Sequence, residues 1–285
     1  MKIALCFSGA IRSFDTCIPS IKRYFINPLL EKGYEVDIFV YMVHLKEIDS
    51  SMNVTFKMRK TNSDINKLLK VLQPKKYNIQ EYNNKYQKLE MTIDDIDYRK
   101  FNFKQYVKSK NWKKKDVDSV NNYAYNSFGM YYKIYKCNEL KSLYEKENNF
   151  TYDFVWRCRL DYIYLDRLDY EIIDNTIYMV EDRYATNTRG KLKYTNDKFI
   201  GAPSKIMDKI CDLYIDLPKY IKQGVQLDGA TLMQTHIANL VFDYNYQVKM
   251  IGHENTYYKC QGRHEIKSSD KTIFVDLNDK NLLFE

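Results

Sequence analysis

The chain has 285 residues, 45% of them hydrophobic, with a formal net charge of +8. That length buries a sizeable core, about three-quarters of the unfolded surface by size scaling, and suits one large domain or one domain with an insertion. No stretch approaches the roughly 20 uninterrupted apolar residues of a membrane span, and the start KIALCF is interrupted too soon for a signal peptide, so a cytoplasmic protein without a membrane span is expected.

The first elements follow from periodicity. Residues 2–7 form a nearly continuous apolar run that stops at Ser8-Gly9, as a buried strand of a parallel sheet does. Phe14, Ile18, Ile21, Phe25 and Leu29 then recur at helical spacing, with Gly33 as a stop and Pro28 as a kink or early end. Residues 36–43 read as a second buried strand. Strand, loop, helix, strand is the opening of a doubly wound α/β sheet, whose ligands sit beyond the carboxyl ends of the strands. The loop 8–12 is therefore a binding-site candidate.

From 46 to 122 the chain is polar and lysine-rich, with clusters such as Asp94-Asp95-Ile96-Asp97 and Trp112-Lys113-Lys114-Lys115. We read an insertion or lid holding one or two helices, its charge clusters solvated. Met130, Ile134, Cys137, Leu140 and Tyr144 restore a helical stripe. Strands are expected at 152–156, 177–180, 198–201 and 247–251, and helices at 204–215 and 228–241, the latter capped by Asp228. The six cysteines are scattered without a CxxC pair and read as reduced, structural thiols.

The most informative run is YDFVWRCRLDY, 152–162, where an apolar strand passes into Arg157, Arg159 and Asp161. Alternate residues of an extended chain share a face. Two guanidinium groups there can grip a diphosphate while the carboxylate holds a divalent cation or a ribose hydroxyl. A buried Arg–Asp ion pair bracing the sheet is the other reading of the same spacing. Ser8 and the backbone at Gly9 can approach a nucleotide closely, and Arg12 can meet its phosphates at the next helix start. Tyr131, Tyr132 and Lys133 are expected to be partly exposed near the donor, where an aromatic could stack on a base and the lysine could pair with phosphate; packing of a tyrosine-bearing helix is the alternative.

The run 152–162 resembles the strand-end motif YDxVIRxRxD of GT-A-like glycosyltransferases in viral and bacterial glycan-synthesis gene sets. CFSGAIR at 6–12 resembles that family's opening strand and SGxxR loop, NSFGMYYKIYK at 126–136 its helix before the central strand, and NDKFIG at 196–201 its ND-x-F-x-G segment. The resemblance implies a single GT-A-like (Rossmann-like) catalytic domain over 1–285, a mostly parallel central sheet flanked by helices, with the polar insertion at about 46–122. It also implies a nucleotide-sugar donor and a glycan or glycoprotein acceptor, such as a viral or bacterial surface polysaccharide, in the host cytoplasm for a viral source.

GT-A enzymes generally carry an Asp-X-Asp for metal and nucleotide at this strand end. Here Arg159 stands in the place of the first aspartate and Asp161 remains, so a divalent cation, Mn²⁺ or Mg²⁺, would rest on Asp161 with a second ligand such as His253. Asp197 and Asp228 are the carboxylates that could accept the acceptor's proton in an inverting transfer; the alternative for Asp228 is helix capping. Two other classes fit the charge: a non-catalytic nucleotide or nucleic-acid-binding module, and another nucleotide-dependent group transferase. No nucleic-acid motif and no G-x-x-x-x-G-K-[ST] loop occurs, so nucleic acid is not the expected partner.

Overall fold

The computed structural model describes residues 1–11, 14–45, 65–82, 92–93, 96–97, 102–108, 110–164, 167, 171–181, 195–250, 257–259, 265–267 and 272–274. The first strand, β1 (Lys2–Ala10), pairs in parallel with β2 (Glu35–Leu45). Between them runs α1 (Phe14–Ile21), a π-turn at Lys22–Ile26 and α2 (Asn27–Glu31). Pro28 does not end this helix. Its missing N–H leaves the chain to wind more loosely just before it, and the Asn27 N–H reaches back five residues to the Lys22 carbonyl.

The helix α3 (Ile65–Leu72) leads to β3 (Lys76–Tyr82), which pairs in parallel with β2. This edge strand lies inside the stretch read from sequence as an insertion, so that part belongs to the central sheet. A two-residue ladder, β4 (Thr92–Ile93) with β5 (Ile96–Asp97), and the short α4 (Lys110–Lys113) precede α5 (Val117–Asn148). At 32 residues, α5 is about 48 Å long at the rise of an α-helix. Asp116 caps it, Oδ1 accepting from the Ser119 N–H at 2.7 Å, and Asn149 ends it in the left-handed conformation.

Next come β6 (Phe154–Cys158), β7 (Tyr162–Tyr164), β8 (Thr176–Glu181) and β9 (Thr195–Pro203). The expected helix at 204–215 is shorter: α6 (Ser204–Cys211) gives way to a 3-10 turn at Asp212–Tyr214, followed by α7 (Leu217–Gln223). Then α8 (Gly229–Tyr244) crosses back to β10 (Gln247–Met250). The short strands β11 (Tyr257–Lys259), β12 (Glu265–Lys267) and β13 (Thr272–Phe274) complete the described chain, β11 pairing with β7 and β12 with β13.

Seven strands form one sheet in the order β10-β8-β9-β6-β1-β2-β3. Its pairs are parallel except those of β9, which runs against both β6 and β8. The molecule is thus an α/β protein with a mostly parallel sheet between two helical layers, the class expected from sequence. Both faces of β1 are buried, which is why it reads as an unbroken apolar run. Ala4 and Cys6 join the core under α5, α6 and α8, whereas Ile3, Leu5 and Phe7 join the core under α1 to α3.

A polar network sits inside the α5 layer at the amino ends of the strands. Lys141, fully buried, donates to Ser204 Oγ at 2.8 Å and Asp208 Oδ1 at 2.7 Å and lies 3.1 Å from Glu145 Oε2. Glu145 Oε1 accepts from the Tyr152 N–H and from Ser204 Oγ at 2.9 and 3.0 Å. Burial pulls the Lys141 ammonium down, but Asp208 and Glu145 outweigh it, and its pKa ends above the ordinary lysine value. The network ties α5 to α6 and to the entry of β6. Among the described residues no helix is long and apolar enough to cross a membrane.

Candidate functional site at the switch point

From β1 the chain builds outward through β2 and β3 on one side, while β6 lies on β1's other side. The strand order reverses there, and in open α/β sheets the crevice beyond the carboxyl ends at that point is the ligand site. Both sequence motifs end at it. Cys6 is level with Arg157 and Phe7 with Cys158, so the register sets Ser8-Gly9 of β1 beside the Arg159-to-Asp161 segment that follows β6.

On the β1 side, Ser8 is 1% exposed, and its Oγ has no hydrogen-bond partner among the described residues. Its cross-strand neighbour is Tyr41, whose hydroxyl accepts from Gln80 Nε2 at 2.9 Å and whose ring meets Tyr132 of α5 edge-on at 6.1 Å. Gly9 has φ +142°, a conformation that L side chains resist, and nothing lies within 4 Å of where its Cβ would be. The backbone at Gly9 is therefore open to close approach.

On the β6 side, Arg157 is buried at 2% exposure between Cys6 of β1 and Ile200 of β9. Burial pushes the neighbouring Cys158 thiol well up, against the opposing charge of Arg157. The strand stops at Cys158 and the chain bends at Leu160-Asp161. Arg157, Arg159 and Asp161 thus do not share one extended face. The bend folds Asp161 back onto Arg159: Nε donates to Oδ1 at 2.7 Å and Nη2 to Oδ2 at 2.6 Å. Both side chains are largely covered, at 16% and 3% exposure, and the guanidinium lies 5.4 Å from the Tyr162 ring centroid. The ion-pair reading of this spacing is the arrangement present.

That chelate bears on the expected cation. Both Asp161 oxygens hold an arginine, and no group of three His, Cys, Asp or Glu side chains suited to a metal occurs among the described residues. The described donor set at Asp161 does not fit a divalent cation. His253 and Arg12 lie outside the described residues.

Tyr131 corrects an expectation of partial exposure. It is 1% exposed, and its hydroxyl donates to the Gly229 carbonyl at the start of α8, so its ring packs in the core and cannot stack on a base. Lys133, two residues on, is half-buried on α5. Asp228 is the N-cap of α8, Oδ1 accepting from the Thr231 N–H at 3.0 Å and Oδ2 from Gln226 Nε2 at 2.5 Å. The backbone of Asp197 lies in β9, toward the carboxyl edge from the Ile200 that faces Arg157; its side chain is outside the described set. Tyr41 and Gln80 were not singled out from sequence. The alternation along β2 could have flagged Tyr41 as facing the same layer as Ser8, but Gln80 sits in a strand too polar to read as one.

No protein-family model matches the chain, and no curated protein matches it in sequence. Among solved structures it is similar to the apo-form glycosyltransferase GlyE of Streptococcus pneumoniae TIGR4, at 12% identity and a TM-score of 0.40. The match covers 87% of this chain and 44% of that one, so the chain spans less than half the length of this structural neighbour.

Proposed function

We propose that this protein is a nucleotide-sugar-dependent glycosyltransferase acting on a glycan or other hydroxyl acceptor, with the donor's diphosphate lying across the carboxyl ends of β1 and β6. One observation carries the reading: two motifs about 150 residues apart in sequence, Ser8-Gly9 and Arg157 to Asp161, end side by side where the strand order reverses. In this role Ser8 Oγ, buried without a partner among the described residues, donates to the donor, and the Gly9 backbone lets it approach. Arg157 and Arg159 supply the positive charge that stabilises the departing nucleoside diphosphate. Asp161 holds the Arg159 guanidinium in one orientation. Asp197 is the carboxylate we assign to the acceptor's proton in an inverting transfer, since Asp228 is engaged in capping.

The arginines, and not a divalent cation, carry the charge in this proposal. Purified protein is expected to gain thermal stability with one of the UDP, GDP, TDP or CMP sugars, by about 2.7 kcal/mol at a hundredfold excess over Kd. The shift should persist in EDTA and not grow with Mn²⁺ or Mg²⁺. No shift with any of them, and no release of nucleoside diphosphate on incubation with acceptor glycans, would overturn the reading.

A further inference from the structure

Between Asp97 and Asp116 the sequence has no acidic residue, and six lysines fall within 104–115. This segment is held down as a strap on the N-terminal part of α5. Phe103 is fully buried, its ring 5.0 Å from Phe128 and 5.6 Å from Tyr125, and its N–H donates to Asn121 Oδ1 at 3.1 Å. Val107 and Trp112 are buried as well. Lys108, Lys110, Lys113 and Lys114 are exposed, and none makes an ion pair among the described residues.

The direction of α5 places this strap. Glu145 meets the entry of β6 and Glu147 the start of β3, whereas Tyr132 meets Tyr41, the cross-strand neighbour of Ser8. Moving toward its N-terminus, α5 therefore climbs from the amino to the carboxyl ends of the strands. Asn121 lies about 16 Å further along the axis than Tyr132. The basic strap thus lies toward the carboxyl-end side of the sheet, the side of the proposed donor site.

Four like charges without an ion-pair partner among the described residues repel one another, and a polyanion relieves that repulsion. We propose that residues 102–108 and 110–115 dock the acceptor, and that the acceptor is an acidic glycan bearing carboxylate, sulfate or phosphate groups. This rests on the glycosyltransferase reading and names the acceptor class for it. A single-stranded nucleic acid is disfavoured by the aromatic rings of the strap. Lys115 Nζ lies 4.7 Å from the Trp112 centroid and 4.2 Å from that of Tyr123, so the ammonium occupies the place where a base would stack.

The test uses the full chain with polygalacturonate, neutral amylose and a single-stranded oligonucleotide as binding probes, and nucleoside diphosphates as thermal-shift probes. One variant carries Lys108→Glu, Lys110→Glu, Lys113→Glu and Lys114→Glu. A control carries Lys22→Glu, Lys70→Glu, Lys146→Glu and Lys205→Glu, exposed lysines elsewhere on the molecule, so both variants have the same net charge. The strap variant should lose about tenfold in polygalacturonate affinity, as several exposed ionic contacts together give, while the control and the nucleoside diphosphate shift are unchanged. Equal losses in both variants, equal binding of amylose, or stronger binding of the oligonucleotide to the strap would overturn the proposal. Absence of any nucleoside diphosphate shift in the unmodified chain would overturn the donor reading and the acceptor assignment with it, whereas an intact shift with strap-independent glycan binding overturns the acceptor assignment alone.

Discussion

Two buried polar sites, the Lys141 network at the amino ends of the central sheet and Ser8 at the carboxyl ends, differ in whether the protein satisfies them. At the amino ends, Lys141, Glu145, Ser204 and Asp208 satisfy one another and the Tyr152 N–H inside the fold. At the carboxyl ends, Ser8 Oγ is equally buried yet has no partner among the described residues, and Gly9 leaves open space beside the backbone. A satisfied network spends its hydrogen bonds on the fold; an unsatisfied group beside an open backbone holds one in reserve for a ligand. The contrast distinguishes a satisfied ionic network from the proposed ligand site.

Substitutions that strike each end separately sharpen this contrast. Lys141→Ala leaves the buried Glu145 carboxylate and the half-exposed Asp208 without their cation and should cost about 3 kcal/mol of stability in chemical denaturation, the low end for breaking a buried pair. Nucleoside diphosphate binding by the folded fraction should be retained; a protein as stable as the parent would show that the amino-end network is dispensable. Arg159→Lys keeps the charge but loses the planar fork that both Asp161 and a diphosphate match. It should weaken nucleoside diphosphate binding about tenfold, as losing one charge-assisted hydrogen bond does, with a far smaller change in stability than Lys141→Ala.

Ser8→Ala removes a buried hydroxyl that has no partner among the described residues. Stability should stay level or rise, while nucleoside diphosphate affinity falls about fivefold, the worth of one hydrogen bond; a clear loss of stability would mean that the hydroxyl serves the fold. The smallest effects are those of pH across the neutral range. Lys141 has a raised pKa when folded, so its contribution is full below about 10.5 and is lost as pH rises through the folded value. His236 is held neutral by burial, Nδ1 at 2.9 Å from the Tyr220 hydroxyl and Nε2 at 2.8 Å from the Lys209 carbonyl. Its lowered pKa favours proton uptake by the unfolded chain, so stability declines as pH falls below about 6.5. Denaturation midpoints should be flat between these limits as far as these two groups are concerned, and His236→Gln should lessen the acid decline.

Much of the sheet was legible in the sequence because its central strands are buried on both faces. β1, β2 and β6 read as apolar runs, and β1 and β6 stop at the residues that border the site. β3 was not legible: Lys76, Asn78 and Gln80 alternate with Tyr77, Ile79 and Glu81 at an edge where one side of the ladder is open. The first turns of α5 were hidden for a related reason. Val120, Ala124 and Phe128 do form a buried stripe there, under the basic strap, but it is set among polar residues such as Asn121, Asn122 and Asn126 that dilute the pattern. Nor does any local pattern give the reversed direction of β9. At the site, the spacing of Arg159 and Asp161 showed that the two could share a side, but whether they face a ligand or each other depends on the bend after Cys158. The burial of Tyr131 depends equally on a distant element, the start of α8.

The pairing of Trp156 with Gly201 has a further use. A Cβ at Gly201 would lie 2.3 Å from the indole ring, so the missing side chain is what lets the tryptophan lie across β9. The chain's other tryptophan is Trp112, beneath Lys115 on the strap. The protein therefore carries two intrinsic fluorophores, one in the strand that leads to the proposed donor site and one in the proposed acceptor dock. Replacing either with phenylalanine leaves a single emitter, so that the filling of each site can be followed by light from its own side.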